Sequence, residues 1–277
     1  MITQKDIHMF REKQRILLQT NEYICLSPYP NLKEYISNYN VTFPTKEMMP
    51  SGFTIMPCGC STLSIENDGK GLFVDLDGPT TKPHIVGSQA NQPQMIVTIE
   101  FRPAGLYALT GINQSELTDQ TIAFEAVNPA LSKMISDIVE KTESVDELLT
   151  GLDMLLLENM YAAYHPQLKQ IFQAIYHCAG SVNIKKLSDE AHYSERQLNR
   201  IFQQHVGVSG KSFSRLVRIN HAFRLLKNPK SSLTFVSDVM GFYDVSHFIR
   251  DFGLVCGITP QAYRNNMSDF YINPTKF

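Results

Sequence analysis

The sequence has no tryptophan, which excludes nothing, but its other absences are informative. No run approaches the roughly 18 apolar residues that a membrane-spanning helix needs, so no membrane partner is expected. The opening MITQKDIHMFREKQRILL lacks an uninterrupted apolar segment after a basic start, so no secretory signal is expected. The five cysteines, Cys25, Cys58, Cys60, Cys178 and Cys256, are odd in number and scattered. That argues against a disulfide framework and fits a reducing, cytoplasmic location. There is no His-Glu-x-x-His, no Gly-rich phosphate loop and no Cys–His grouping, so neither an enzyme nor a cofactor is expected.

What is present is enough apolar residue for two cores: 43% of 277 residues, with only 19% charged. The formal net charge of −2 conceals an asymmetry. Residues 1–165 hold 11 Lys and Arg against 20 Asp and Glu, and residues 166–277 hold 14 against 7. The C-terminal half is therefore basic, as a surface that meets a polyanion would be, although solvated surfaces also carry such imbalances.

Short runs rich in Val, Ile, Phe and Thr predict strands at Phe53–Cys58, Ser61–Ile65, Leu72–Leu76 and Met95–Phe101. Turn clusters such as Glu66-Asn67-Asp68-Gly69 and Gly78-Pro79 separate them, and the pattern predicts a small barrel or sandwich. From Pro129 the period becomes helical. One stripe is Leu131, Met134, Ile135, Ile138 and Val139; a second is Val145, Leu148, Leu149, Leu152, Leu155, Leu156 and Met160. The second serves either packing within its own domain or a homodimer contact. His165-Pro166 marks the expected break into an all-helical remainder. The expected division is 1–127, β-rich; 128–165, helical linker or dimerisation helices; and 166–277, helical.

The stretch Asn183–Gln204 has the helix-turn-helix plan. Ile184, Leu187 and Ala191 form one short apolar face, His192-Tyr193 a turn, Ser194 an N-cap, and Leu198, Ile201 and Phe202 the next stripe. Arg196, Gln197, Asn199 and Arg200 point away from that stripe. Arg can bond guanine O6 and N7, and Asn or Gln adenine, so these are candidate base readers on double-stranded DNA. The plan recurs at Leu233–Gly253: Val236, Met240, Phe248 and Phe252 repeat Leu187, Ala191, Leu198 and Phe202 at offsets of 49, 49, 50 and 50. Gly241 stands where the first copy has His192, so His192 is expected to bear the strain of the turn. Between the copies, Phe213, Leu216, Val217, Phe223 and Leu226 face inward from a long helix. Its Lys211, Arg215, Arg218, Arg224 and Lys227 are expected outward or sideways, where they can neutralise phosphates. A helix of that length, about 24 Å, can hold two reading helices near the roughly 34 Å spacing of successive major grooves.

The pattern Leu187-x-x-x-Ala191-x-x-Ser194-x-Arg196-x-Leu198-x-Arg200-x-Phe202, followed by Val206-Gly207-Val208-Ser209, Arg218…Ala222-x-x-Leu225-Leu226, Val239-Met240-Gly241-Phe242-x-x-x-Ser246-His247-Phe248-x-Arg250-x-Phe252 and Gly257-Ile258-Thr259-Pro260-x-x-Tyr263-Arg264, resembles the DNA-binding domain of the AraC/XylS family. The resemblance covers about 100 residues. It implies seven helices with two helix-turn-helix units on one duplex face, an activator of transcription, and RNA polymerase as a partner. By correspondence the second unit presents Val245, Ser246, His247, Ile249 and Arg250. The family usually has Pro where this chain has Gly210, and Val245 and Ile249 cannot donate hydrogen bonds, which favours thymine-methyl and phosphate contacts there. Glu100-Phe101-Arg102-Pro103-Ala104-Gly105-Leu106-Tyr107 and Glu116-Leu117-Thr118-Asp119 resemble sensor-type domains of such regulators, related in outline to cupin-like barrels. That implies a small-molecule effector or a dimerising role. The expected fold class is α+β: a small cupin-like β-barrel with following helices, then an all-α domain.

Several residues carry alternatives. Cys58-Gly59-Cys60 has one half of a metal spacing without a second pair, with His84 the only candidate nearby, so two ordinary strand-turn cysteines are expected. Arg102 either clamps an anionic ligand or satisfies backbone carbonyls or an acidic neighbour within the domain. His247 either touches DNA or packs on its own unit. Alkyltransferases that carry an AraC-like module beside a reactive cysteine, and a sensor that has lost DNA binding, are the competing functions.

Overall fold

The computed structural model describes residues 1–49, 53–163, 166–267 and 270–271. The expected break at His165-Pro166 falls partly outside them. After a short helix α1 (Asp6–Met9), the strands are β1 (Ile16–Gln19), β2 (Tyr23–Leu26), β3 (Ile36–Thr42), β4 (Thr54–Ile55), β5 (Thr62–Asn67), β6 (Leu72–Asp77), β7 (His84–Ile85), β8 (Met95–Phe101) and β9 (Thr121–Ala123), with helix α2 (Gly105–Thr110) between the last two. Seven strands pair antiparallel in the order β1-β2-β3-β8-β5-β6-β9. Among the described residues no pairing joins β1 to β9, so the hydrogen-bonded ladder is an open sheet, where the run of strands pointed to a barrel or sandwich. A second, three-stranded sheet has the order β10-β4-β7, in which β10 (Phe270–Tyr271) returns from the far end of the chain to lie parallel to β4.

β5, β6 and β8 fall within a residue or two of the predicted runs, while β4 is only two residues of the predicted six. β1, β2 and β3 lie ahead of the predicted strand region. β3 explains why: Tyr39 and Val41 enter the apolar core, yet Asn38, Asn40 and Thr42 on the other face are buried as well. A strand with polar residues on its second buried face does not read as apolar alternation. Polar residues of that face bond one another across the sheet: Tyr23 OH to Asn40 Oδ1 at 2.8 Å, Asn40 Nδ2 to Thr98 Oγ1 at 2.8 Å, and Thr62 Oγ1 to Glu100 Oε2 at 3.1 Å.

Helices α3 (Pro129–Lys141) and α4 (Val145–Glu158) cover the apolar face. Asn128 and Ser144 cap them through their side chains. The stripe Val145, Leu148, Leu149, Leu152, Leu155 and Leu156 is buried in the chain's own core, which leaves the packing reading of it and removes it as a dimer surface. Met134, expected on the α3 stripe, is instead exposed. Asp153 pins α4 to the sheet. Buried itself, it accepts from Arg15 Nη2 at 2.5 Å, Tyr39 OH at 2.9 Å and the Tyr29 amide at 3.1 Å. Removing one partner of such a buried pair costs about 3–5 kcal/mol.

The remaining helices are α5 (Pro166–His177), α6 (Ile184–Glu190), α7 (Glu195–Val206), α8 (Gly210–Leu226), α9 (Leu233–Val239), α10 (Val245–Cys256) and α11 (Pro260–Asn265). They build two separate cores. In one, Leu168, Phe172, Leu187, Leu198 and Phe202 gather around Phe213 and Val217; in the other, Val236, Met240, Phe248, Phe252 and Tyr263 gather around Leu216, Phe223 and Leu226. α8 contributes to both, so one rod of 17 residues, about 26 Å long, sets how the two units sit.

Candidate nucleic-acid interface

The two units repeat hydrogen bond for hydrogen bond. In the first turn Ala191 N donates to Leu187 O, His192 N to Asp189 O and Tyr193 N to Ser188 O; in the second, Met240 N, Gly241 N and Phe242 N donate to Val236 O, Asp238 O and Ser237 O. The turn residue is left-handed in both, His192 at φ +58° and Gly241 at φ +68°. One inserted residue, Tyr243, then shifts the offset from 49 to 50, and it is 93% exposed. Ser194 caps α7 and Asp244 caps α10, each accepting from the backbone amide three residues on. Gly207 and Gly257 end those helices in left-handed conformations, and Ser209 and Thr259 cap the next helix of each unit. α7 and α10 therefore begin 50 residues apart, and Arg200 and Arg250 are each the sixth residue of their helix.

Of the expected readers, Arg196, Gln197, Arg200, Ser246, Ile249 and Arg250 are exposed. Gln197 closes a capping box: its Oε1 accepts from the Ser194 amide at 2.9 Å. The acceptor half of a bidentate adenine contact is thereby already engaged. Asn199 is half-buried, and its Oδ1 is enclosed with no partner among the described residues. Val245 is half-buried. His247 turns toward its own unit, with its ring edge-on to Phe242 at 5.4 Å and Nε2 3.7 Å from Asp251 Oδ2. Gln203 was not anticipated; it is exposed and lies seven residues from Arg196 on the face that carries Arg200. The repeat alignment points to Tyr243, the one residue without a counterpart.

Of the α8 cations expected outward or to the sides, two are engaged by neighbouring segments. Arg215 Nε pairs with Asp251 Oδ2 at 3.5 Å. Arg218 is half-buried, donates from Nη2 to Gly180 O at 3.1 Å and lies 5.1 Å over the Phe242 ring. Both fasten α8 to neighbouring segments. Burial lowers the pKa of Arg218.

The N-terminal half packs against the first unit and α8. Tyr107, on α2, lies 3.9 Å centroid to centroid from the His205 ring and receives a hydrogen bond from Gln204 Nε2 at 3.1 Å. Thr118 Oγ1 donates to Gly207 O at 2.9 Å, and a Cβ on Gly207 would fall 2.7 Å from that hydroxyl. Asn220 Nδ2 donates to Pro57 O at 2.9 Å, and Met56 joins the second core. Of the residues given alternative roles, Arg102 Nε bonds the Lys33 carbonyl at 2.8 Å, the backbone-satisfying reading. None of the five cysteines forms a disulfide among the described residues. Burial pushes the Cys25 thiol up to about 11 and the Cys256 thiol higher still, away from the nucleophilic thiolate. Among the described residues no helix is long and apolar enough to cross a membrane.

Fold and repeat thus define a two-part protein: a sheet domain joined to a double helix-turn-helix domain. A helix-turn-helix domain family matches residues 187–266, and a domain of unknown function, DUF6597, matches residues 25–123. An uncharacterized HTH-type transcriptional regulator of Haemophilus influenzae is 23% identical over 93% of this chain and 82% of its own length. The HTH-type regulator YobQ of Bacillus subtilis is 32% identical over 33% of this chain, and the HTH-type transcriptional activator RhaR of Escherichia coli 34% over 30%. Those matches span 38% of YobQ and 29% of RhaR. ToxT of Vibrio cholerae superposes with a TM-score of 0.41 at 12% identity over 83% of this chain and 91% of that one, a likeness too distant to carry an argument. Residues 187–266 thus carry a helix-turn-helix domain of the kind found in HTH-type transcriptional regulators, in line with the resemblance to the AraC/XylS family.

Proposed function

We infer that the protein is a sequence-specific transcription regulator, an activator, that inserts α7 and α10 into successive major grooves of one duplex. The observation that carries this is the equivalence of Arg200 and Arg250: same helical position, both exposed, on two units held by one helix. Arg196 shares the exposed face of α7, and the basic balance of residues 166–277 complements phosphate. The activator assignment leans on RhaR, an activator by name. The division near residue 165 separates the reading domain from residues 1–165. A small effector acting on the sheet domain has a short route to the DNA. β8 carries Thr98 and Glu100 on the polar sheet face and runs within a few residues into α2, whose Tyr107 touches α7.

The test is footprinting and anisotropy titration of the full chain on duplexes that it selects from a random pool. Two protected segments one helical turn apart are expected. Arg200→Ala and Arg250→Ala should each cost about 1–3 kcal/mol of binding and relax preference at one base position. A single protected segment, or unchanged affinity in both variants, overturns the two-groove reading.

A further inference from the structure

An open groove of about 530 Å³ lies beside the start of α7. Its walls include Asn183, Ile184 and Lys185 at the start of α6, Glu195 at the start of α7, and Lys211 and Arg218 on α8. Lys211 and Arg218 are seven residues apart, two turns along one helix face. Arg218 links the groove to the second unit: the Phe242 ring beneath its guanidinium packs 5.1 Å from Phe248 of α10. The groove therefore lies where the reading helix of one unit begins and where α8 meets the other unit.

Its charge is lopsided, with three cations against Glu195 alone. Lys185 and Lys211 are exposed, and among the described residues neither ammonium has an ion-pair partner. Lys186, next in the chain, differs: it pairs with Glu190 at 3.8 Å. Arg218 Nε is enclosed and has no acceptor among the described residues. Two ammonium groups carried on different helices, α6 and α8, suit a ligand of repeated single negative charges, and a nucleic-acid backbone crossing between two grooves is such a ligand.

We propose that this groove seats the phosphate backbone of the duplex between the two reading helices, with Lys185 and Lys211 each neutralising a phosphate and Glu195 limiting the affinity. The proposal rests on the DNA-binding reading and adds where the sequence-independent grip lies. It also narrows the basic face of α8: Arg215 and Arg218 hold the fold, while Lys211 acts together with Lys185 from α6.

The experiment is an anisotropy titration of the full chain across a series of salt concentrations, on a random-sequence duplex and on a selected one. Lys185→Ala and Lys211→Ala are each expected to lower the steepness of log affinity against log salt by about 0.9, and the double variant by about 1.8, equally on both duplexes. Glu195→Gln is expected to tighten binding to both. Lys141→Ala, on α3, should leave the slope unchanged. Circular dichroism confirms that these surface variants fold. Wild-type slopes in the two lysine variants, with wild-type binding intact, overturn the groove and leave the DNA reading standing. Absence of salt-dependent binding by the wild type itself overturns both.

Discussion

His192 and Gly241 occupy the same place in two copies of one turn, at φ +58° and +68°, with matching hydrogen bonds on either side. Only the second has the residue for which that conformation is free of strain. A left-handed residue with a Cβ costs roughly 1–2 kcal/mol, and glycine costs the unfolded chain about 0.5–1 kcal/mol in entropy. His192→Gly should therefore raise stability by up to about 1 kcal/mol. Gly241→Ala should lower it by about 1–2 kcal/mol, because its Cβ would also meet Ser181 Oγ at 2.8 Å. Urea midpoints of the two variants check the pair, and equal changes of the same sign would show that the turns are not equivalent.

Gly210 is the first residue of α8, where the second unit has Pro260 at the first residue of α11. Ser209 already holds ψ +154°, the extended value that a following proline demands, and a Cβ at Gly210 would meet nothing nearer than 3.6 Å. Proline is tolerated at a helix's first position because the amide there has no helical partner. Gly210→Pro should stabilise the protein by about 0.4–1 kcal/mol through the unfolded chain, with DNA affinity unchanged. A lower thermal midpoint would mean that the backbone at 210 does not fit the ring.

Thr118 and Gly207 form one of the hydrogen bonds by which the sheet domain holds the end of α7. Thr118→Val removes it without touching a residue of the helix-turn-helix units. The expected loss is about 0.5–1.5 kcal/mol. Amide exchange should quicken in the last turn of α7 and the first of α8, and α9 and α10 should keep their wild-type protection. Faster exchange spread evenly over α5 to α11 would show that the contact does not act on the first unit in particular.

Glu66 and Asp75 lie on the same face of neighbouring strands β5 and β6. Burial, then the charge of Asp75, pushes the Glu66 carboxyl above the usual carboxylate range; burial, then Asp77, does the same to Asp75. The native state then holds these protons more tightly than the unfolded chain does. Their contribution to stability is fully present below the unfolded carboxylate value of about 4 and is lost as pH rises through the raised native value. Glu66→Gln should flatten that part of the profile and leave the variant relatively more stable at neutral pH. Urea midpoints at several pH values test this, and a profile parallel to wild type would contradict it.

The sequence by itself determined the repeated unit: the stripes, the turn at His192 and Gly241, the cap at Ser194, and one inserted residue in the second copy. Each of these rests on backbone preference or helical period within a few residues, so a single chain carries the whole signal. The α4 stripe was equally legible as a helix, but not its partner, because an apolar face reads the same whether it meets its own sheet or another molecule. Only the tertiary structure decided that question. It also decided which cations are engaged, since Arg215 and Arg218 turn toward Asp251, Gly180 and Phe242, while Lys211 on the same helix has no ion-pair partner among the described residues. β1 to β3, and the seat of Tyr107 and Thr118 on α7, were likewise decided by contacts between segments remote in sequence. A long flexible side chain, or a strand buried on both faces, takes its role from neighbours that local sequence does not name.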